Sequence, residues 1–294
     1  MHKKEAKSHP ESLLKRIHEA YCSLPGGERK VADAILNSPS EMAVWTASEL
    51  AGHAGVSNAT VSRIIQRLGY RNFETARQDA RKLREIGSPL FMNEKADLAQ
   101  EDNAYGGLVR AEAEIIEATL SRLDMGILHE VAMAIADARQ VRTLGFRNSR
   151  FLADYFTAQI MQMRSDVAPL GLDGQTLAEG IAGLSQGDVV VVIGLRRRPA
   201  QFSKLVRAIA ERKARLVLLA DRSLREAPAF ATWTFDCVVE TSWARDSYVG
   251  ALALLRLLVI ECGTALGEMG RQHLNTVETL REDLHELEIR PEDL

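Results

Sequence analysis

Val189-Val190-Val191-Val192-Ile193 places five β-branched residues in a row. Such side chains suit a pleated strand and crowd a helix. A run that is apolar at every position, instead of every second one, belongs to a strand covered on both faces. Strands of that kind are found in parallel sheets, where a helix carries the chain from one strand to the next. The surrounding sequence has this rhythm. Candidate strands at Val141–Gly145, 166–170, Arg215–Ala220 and 237–240 alternate with helical patterns near 150–163, 175–184 and 200–212. Helices near 108–123 and 125–138 precede them, and a long apolar helix at 247–266 and a charged one at 273–288 close the chain. Residues 106–294 are therefore predicted to form a doubly wound α/β domain around a parallel sheet.

The first 87 residues lack that alternation and read as closely spaced helices, beginning near 11–21 and 28–36. Thr46-Ala47-Ser48-Glu49 is a capping box, in which the threonine hydroxyl and the glutamate satisfy each other's backbone amides. The helix it opens buries Ala47, Leu50, Ala51 and Ala54 and ends at Gly55, which tolerates a left-handed exit. Ser57 then caps a second helix, whose Val61, Ile64, Ile65 and Leu68 form an apolar stripe at i, i+3, i+4 and i+7; Gly69 ends it. Two helices joined by a short glycine turn, the second with a polar outer face, make a helix-turn-helix, so an all-α DNA-binding domain is expected ahead of the α/β domain. The candidate DNA-contacting residues are Thr46, Ser57, Asn58, Thr60, Ser62, Arg63, Gln66, Arg67 and Arg71. Arginine and glutamine can bond base edges, while serine, threonine and asparagine can bond bases or phosphates.

Charge supports the division. Residues 1–87 hold 14 Lys+Arg against 10 Asp+Glu, whereas 88–294 hold 23 against 30. A basic small end on an acidic body fits a polyanion reader joined to something else. The excess lies mostly in Arg63, Arg67, Arg71, Arg77, Arg81, Lys82 and Arg84. Residues 88–105, with Pro89, Asn93, Asp97 and Gly106-Gly107 just beyond, read as a polar linker.

The runs Thr46–Ala51, Gly55–Arg63 and Leu68-Gly69-Tyr70 with Phe73 resemble the N-terminal domain of RpiR-type bacterial transcriptional regulators. Glu28–Ala32 with Ile35-Leu36 and Pro39 is similar to that family's preceding helix. The α/β region resembles a sugar isomerase (SIS) domain, the usual C-terminal partner of that DNA-binding domain, by element order more than by motif. The resemblance implies a regulator of operator DNA with a sugar-phosphate site at the strand ends.

Two loops lie where open α/β sheets bind ligands, beyond the carboxyl ends of their strands. One reads Phe146-Arg147-Asn148-Ser149-Arg150; its amides and the Ser149 hydroxyl could hold an anion. The other reads Gly194-Leu195-Arg196-Arg197-Arg198-Pro199, with Pro199 expected in the first turn of the following helix. The family's second loop carries Ser-x-Ser-Gly-x-Thr, and the positions that match are Gly194, Arg196, Arg197 and Pro199, so none of its three hydroxyls remains. Ser149 stands at the family's serine of the first loop, and Arg147 stands where glycine is common. Arginine adds fixed charge with bidentate reach. Arg147, Asn148, Ser149, Arg196, Arg197 and Arg198 are thus candidate ligands of a small anionic effector, a sugar phosphate or sugar acid. The arginines also fit a solvated loop or a subunit contact.

No metal or organic cofactor is expected: there is no Gly-x-Ser-x-Gly elbow, no phosphate-binding P-loop and no His-Glu-x-x-His. His129, His273 and His285 lack ligand-spaced companions. Cys22, Cys237 and Cys262 are too far apart to suggest a disulfide framework. Trp45, Trp233 and Trp243 read as packing residues, Trp243 also as a possible cleft residue. The polar N-terminus lacks a signal-peptide core, and the apolar run 249–260, broken by Arg256, falls short of a membrane span. A cytoplasmic homo-oligomer, dimer or tetramer, with no membrane partner is expected. Two rival readings stay open: an aldose–ketose isomerase acting on a sugar phosphate, and a regulator whose α/β domain only dimerises.

Overall fold

A computed structural model describes residues 12–85, 104–172, 174–241 and 246–286 of the chain. Most of the expected linker, Trp243 and the last residues of the chain lie outside the described residues. The chain divides into two compact units, described separately below.

The first unit is all helical: α1 (Leu13–Ala20), α2 (Gly26–Asn37), α3 (Ala47–Ala54), α4 (Asn58–Arg67) and α5 (Phe73–Glu85). Its core gathers one face of each helix, with Leu13, Ile17, Val31, Ile35, Leu50, Val61, Ile64, Ile65, Ala76 and Ala80 buried together. The capping signals act as read. The Glu49 amide donates to the Thr46 hydroxyl oxygen at 3.2 Å, and the Thr46 amide donates to the Glu49 carboxylate at 2.6 Å. The Thr46 amide and hydroxyl, both donating to it, hold the exposed Glu49 carboxyl below the usual carboxylate range. Gly55 leaves α3 with φ 63°, and Ser57 accepts from the Thr60 amide at 3.3 Å to start α4. The helix-turn-helix is α3 and α4.

The second unit opens with α6 (Ala104–Leu120) and α7 (Met125–Ala136). β1 (Val141–Gly145), α8 (Asn148–Met161), β2 (Val167–Pro169), α9 (Leu177–Ala182), β3 (Val189–Gly194), α10 (Phe202–Glu211), β4 (Arg215–Ala220) and β5 (Trp233–Asp236) follow, and α11 (Val249–Leu284) ends it. The five strands are all parallel, in the order β2-β1-β3-β4-β5. β3 is central, as its valine run requires. Val189, Val191 and Ile193 enter one core with α7, α8 and α11, while Val190 and Val192 enter the other with α9 and α10. The order reverses between β1 and β3, which makes the loops after those two strands the ligand-binding position of such a sheet.

Four expectations are corrected. The fifth strand is Trp233–Asp236, not 237–240: β4 pairs Val217 to Trp233 and Ala220 to Asp236 and then ends, so residues beyond Cys237 have no partner strand. Pro199 lies ahead of α10, which starts at Phe202. The two closing helices are nearly one, α11, broken only at Gly267 (φ 52°, ψ −125°). That helix is also long and apolar enough to cross a membrane by length and composition alone. Its apolar face is used within the unit, where Leu254, Leu255, Leu258 and Cys262 are buried beneath α6, α7 and α8.

Candidate functional site

The first candidate surface is the outer face of α4. Burying Thr60, Val61, Ile64 and Ile65 turns Asn58, Ser62, Arg63, Gln66 and Arg67 outward, and all five are exposed. The exposed Asn58 amide donates to the Ser48 hydroxyl at 3.1 Å, tying the start of α4 to α3. Thr60 is buried and accepts from the Arg63 guanidinium at 3.2 Å, which also donates to the Ala59 carbonyl. Arg63 is therefore steered from beneath while its side chain stays at the surface. Arg67 differs: its Nε donates at 2.7 Å to Glu28, a carboxylate of α2 whose side chain is only 5% exposed. That pair anchors α4 to α2, a role local spacing does not reveal because the partners lie 39 residues apart.

Other parts of the basic excess are also engaged within the unit. Arg77 pairs with Glu74, and Arg81 donates to the Ala43 carbonyl at 2.9 Å. Arg71 and Lys82 are exposed. Thr46 is bound into its capping box, and the side chain of Arg84 lies outside the described residues. A polar strip with few uncommitted charges remains, the composition that base-edge contacts require.

The second candidate surface lies beyond β1, β3 and β4. Gly145 must be glycine, since a Cβ there would stand 2.2 Å from the Ser149 carbonyl oxygen. The chain then turns through Arg147 at φ 55° and enters α8. Ser149 is buried and its hydroxyl accepts from the Leu195 amide at 3.3 Å, so it braces the two loops against each other. In the second loop Arg196 also has positive φ, 44°, and its side chain is 5% exposed. Its guanidinium donates to Asp246 at 3.1 Å and to Glu240 at 3.2 Å, and its amide donates to Asp221 at 2.5 Å. Arg198 donates to the Gly194 carbonyl at 2.8 Å, to Asp221 at 3.2 Å and to the Ser223 hydroxyl at 2.7 Å. Arg222 reaches Glu240 at 3.0 Å.

Three arginines thus face three carboxylates, so the fixed positive charge that the arginines add is compensated within the unit. Burial pushes the Asp246 carboxyl above its ordinary range, against the pull of Arg196. Burial, with Asp246 adding to it, likewise raises Tyr248, whose hydroxyl the Asn148 amide reaches. Of the six expected ligand residues, Arg147, Asn148 and Arg197 are exposed, while Ser149, Arg196 and Arg198 are turned to internal partners. Sequence reasoning missed Asp221, Glu240, Asp246 and Tyr248. Only Asp221 carried a local sign, a carboxylate directly after an apolar parallel strand.

The remaining polar candidates are structural. Trp45 stacks on His53, and the Trp233 indole donates to Glu130. No group of His, Cys, Asp and Glu suited to a metal occurs among the described residues. Cys22 is exposed, whereas Cys237 and Cys262 are buried; burial pushes the Cys262 thiol up to about 12 and Cys237 further.

Comparison with known proteins agrees with this architecture. Residues 11–79 match the model of the helix-turn-helix domain of the rpiR family, and residues 134–261 match that of the SIS domain. The chain is 25% identical over 224 residues to an uncharacterised HTH-type transcriptional regulator of Haemophilus influenzae, spanning 73% of this chain and 75% of that one. It is 26% identical over 197 residues to the HTH-type regulator YfhH of Escherichia coli, spanning 63% and 67%. In fold it resembles the NanR protein of Vibrio vulnificus complexed with ManNAc-6P (TM-score 0.55, 18% identity, 93% of this chain and 99% of that one). It also resembles the sugar isomerase domain of an RpiR transcription factor from Sphaerobacter thermophilus (TM-score 0.56, 20% identity, 60% and 99%). The chain thus carries a helix-turn-helix domain of the rpiR family followed by a SIS domain, the arrangement of an HTH-type transcriptional regulator.

Proposed function

We propose that the protein binds operator DNA through α4 and adjusts that binding in response to a sugar-derived effector held at the strand ends of the SIS domain. The observation that carries the DNA reading is the outer face of α4, where Asn58, Ser62, Arg63 and Gln66 are exposed over a fully buried apolar stripe. Asparagine and glutamine suit adenine, arginine suits guanine, and Ser62 suits either. Ser57 and the amides of the first turn of α4, with Arg71 beyond its end, would meet phosphates. Thr46, Thr60 and Arg67 act by holding α3 and α4 in position.

NanR, a likeness in fold, was solved with a phosphorylated amino sugar. This supports a sugar-derived effector here, and Arg147, Asn148 and Arg197 are the open groups through which it would enter. An effector regulates only by preferring one of two arrangements of the regulator. We place the protein in the cytoplasm as a homo-oligomer, with residues 1–87 as the DNA-binding part, 88–105 as linker and 106–294 as the sensing and assembling part. Exposed Phe151 and Met161 on α8 and Ile260 on α11 supply apolar surface for assembly.

A gel-shift series on a selected operator tests the DNA reading. Arg63→Ala is expected to weaken the cognate site by about 1–3 kcal/mol and relax preference at one base pair. Unchanged binding to cognate and random DNA alike would remove α4 from the groove.

A further inference from the structure

Four of the loop amides that could cradle a phosphoryl group are already occupied. Ser149 N–H donates to the Phe146 carbonyl at 3.1 Å and Arg150 N–H to the Arg147 carbonyl at 3.0 Å. Leu195 N–H donates to the Ser149 hydroxyl oxygen, and Arg196 N–H to Asp221. Asp221 collects more. Its carboxylate, 4% exposed, also accepts from the Ser223 amide at 2.9 Å, the Ser223 hydroxyl at 2.5 Å and the Arg198 guanidinium at 3.2 Å. Two backbone amides, a hydroxyl and a guanidinium converging on one point form an anion cradle. Asp221, the first residue after β4, stands at the carboxyl ends of the strands, where a ligand's anionic group would lie.

We infer that Asp221 fills this anion subsite from within, so that the effector carries hydroxyl groups but no phosphoryl group. The inference rests on the effector reading above and narrows its chemistry. A phosphate dianion brought to the same place would meet the carboxylates of Asp221, Asp246 and Glu240, whose arginine partners are already paired. Like charges at close range disfavour each other strongly in a buried setting. Hydroxyls have no such conflict. One oxygen of Asp246, a side chain 8% exposed, has no hydrogen-bond partner among the described residues, and it is an acceptor suited to a hydroxyl donor. Tyr248 and Asn148 next to it offer both donor and acceptor.

Two measurements on the full-length protein test this. In the first, calorimetric titration compares hexoses, hexosamines and sugar acids, each with its own phosphate ester. The unphosphorylated member of a binding pair is expected to be tighter by about tenfold or more; an ester that binds tighter than its parent overturns the inference. In the second, the melting temperatures of wild type and Asp221→Ala are followed with inorganic phosphate, using chloride at equal ionic strength as control. Emptying the cradle should give the variant a phosphate-dependent rise that wild type lacks. A folded variant indifferent to phosphate overturns the assignment of Asp221. If the variant gains phosphate binding while no sugar in the panel binds wild type, the effector reading falls and the filled subsite stands. Should the variant not fold, the paired titrations on wild type still decide.

Discussion

At the scale of single residues, the chain spends arginines on two opposite tasks. Arg67, Arg196 and Arg198 are held by internal carboxylates and fasten elements together, whereas Arg63, Arg147 and Arg197 face outward. Arg147 is costly where it stands. Its φ of 55° with ψ of −124° is glycine territory, and a side chain held there typically costs about 1–3 kcal/mol. Arg147→Gly is therefore expected to stabilise the protein by about 1 kcal/mol, read as a higher urea midpoint at unchanged slope. If the arginine is kept for the effector, the gain comes with weaker effector binding, the usual exchange of function for stability. A midpoint that falls would show that the guanidinium contributes more to the fold than its backbone costs. The sequence revealed which arginines cluster but not which are paired. Asp221 lies 25 residues beyond Arg196 and Asp246 lies 50 beyond, and such distances are bridged only by the crossovers of the sheet.

At the scale of elements, what was legible followed from local physics. Capping boxes, glycine exits and β-branched runs act within a few residues, so α3, α4, β1, β3 and β4 fall where they were read. β5 was displaced because Cys237-Val238-Val239 looks more strand-like than Trp233-Thr234-Phe235-Asp236, yet strand length is set by the neighbour, and β4 ends at Ala220. Packing between elements was illegible for the same reason. The close approach of β3 and α10 shows its strength: a Cβ on Gly194 would stand 2.4 Å from the Phe202 ring. Gly194→Ala should cost about 2–3 kcal/mol through overpacking, measured by thermal unfolding. Phe202→Leu in the same chain should recover part of that loss by making room, and an additive double mutant would contradict the contact.

At the scale of the whole molecule, a helix-turn-helix reads few base pairs, and the homo-oligomer proposed above would join two copies on one operator. Footprinting on a selected operator is expected to show a pseudo-palindrome with half-sites one helical turn, about 34–36 Å, or a multiple of that apart. Inserting about five base pairs between the halves should put them on opposite faces of the duplex and abolish cooperative protection. Protection that survives the insertion would mean that each copy binds by itself.

The three thiols also divide by accessibility: Cys22 is open in the turn just after α1, while Cys237 and Cys262 are sealed inside the second unit with their thiolate forms suppressed. A maleimide dye should consequently attach at one position per chain without any cysteine being engineered away. Because that position belongs to the helical unit, energy transfer between two labelled chains would track the separation of the DNA-reading units in real time, with and without added sugar.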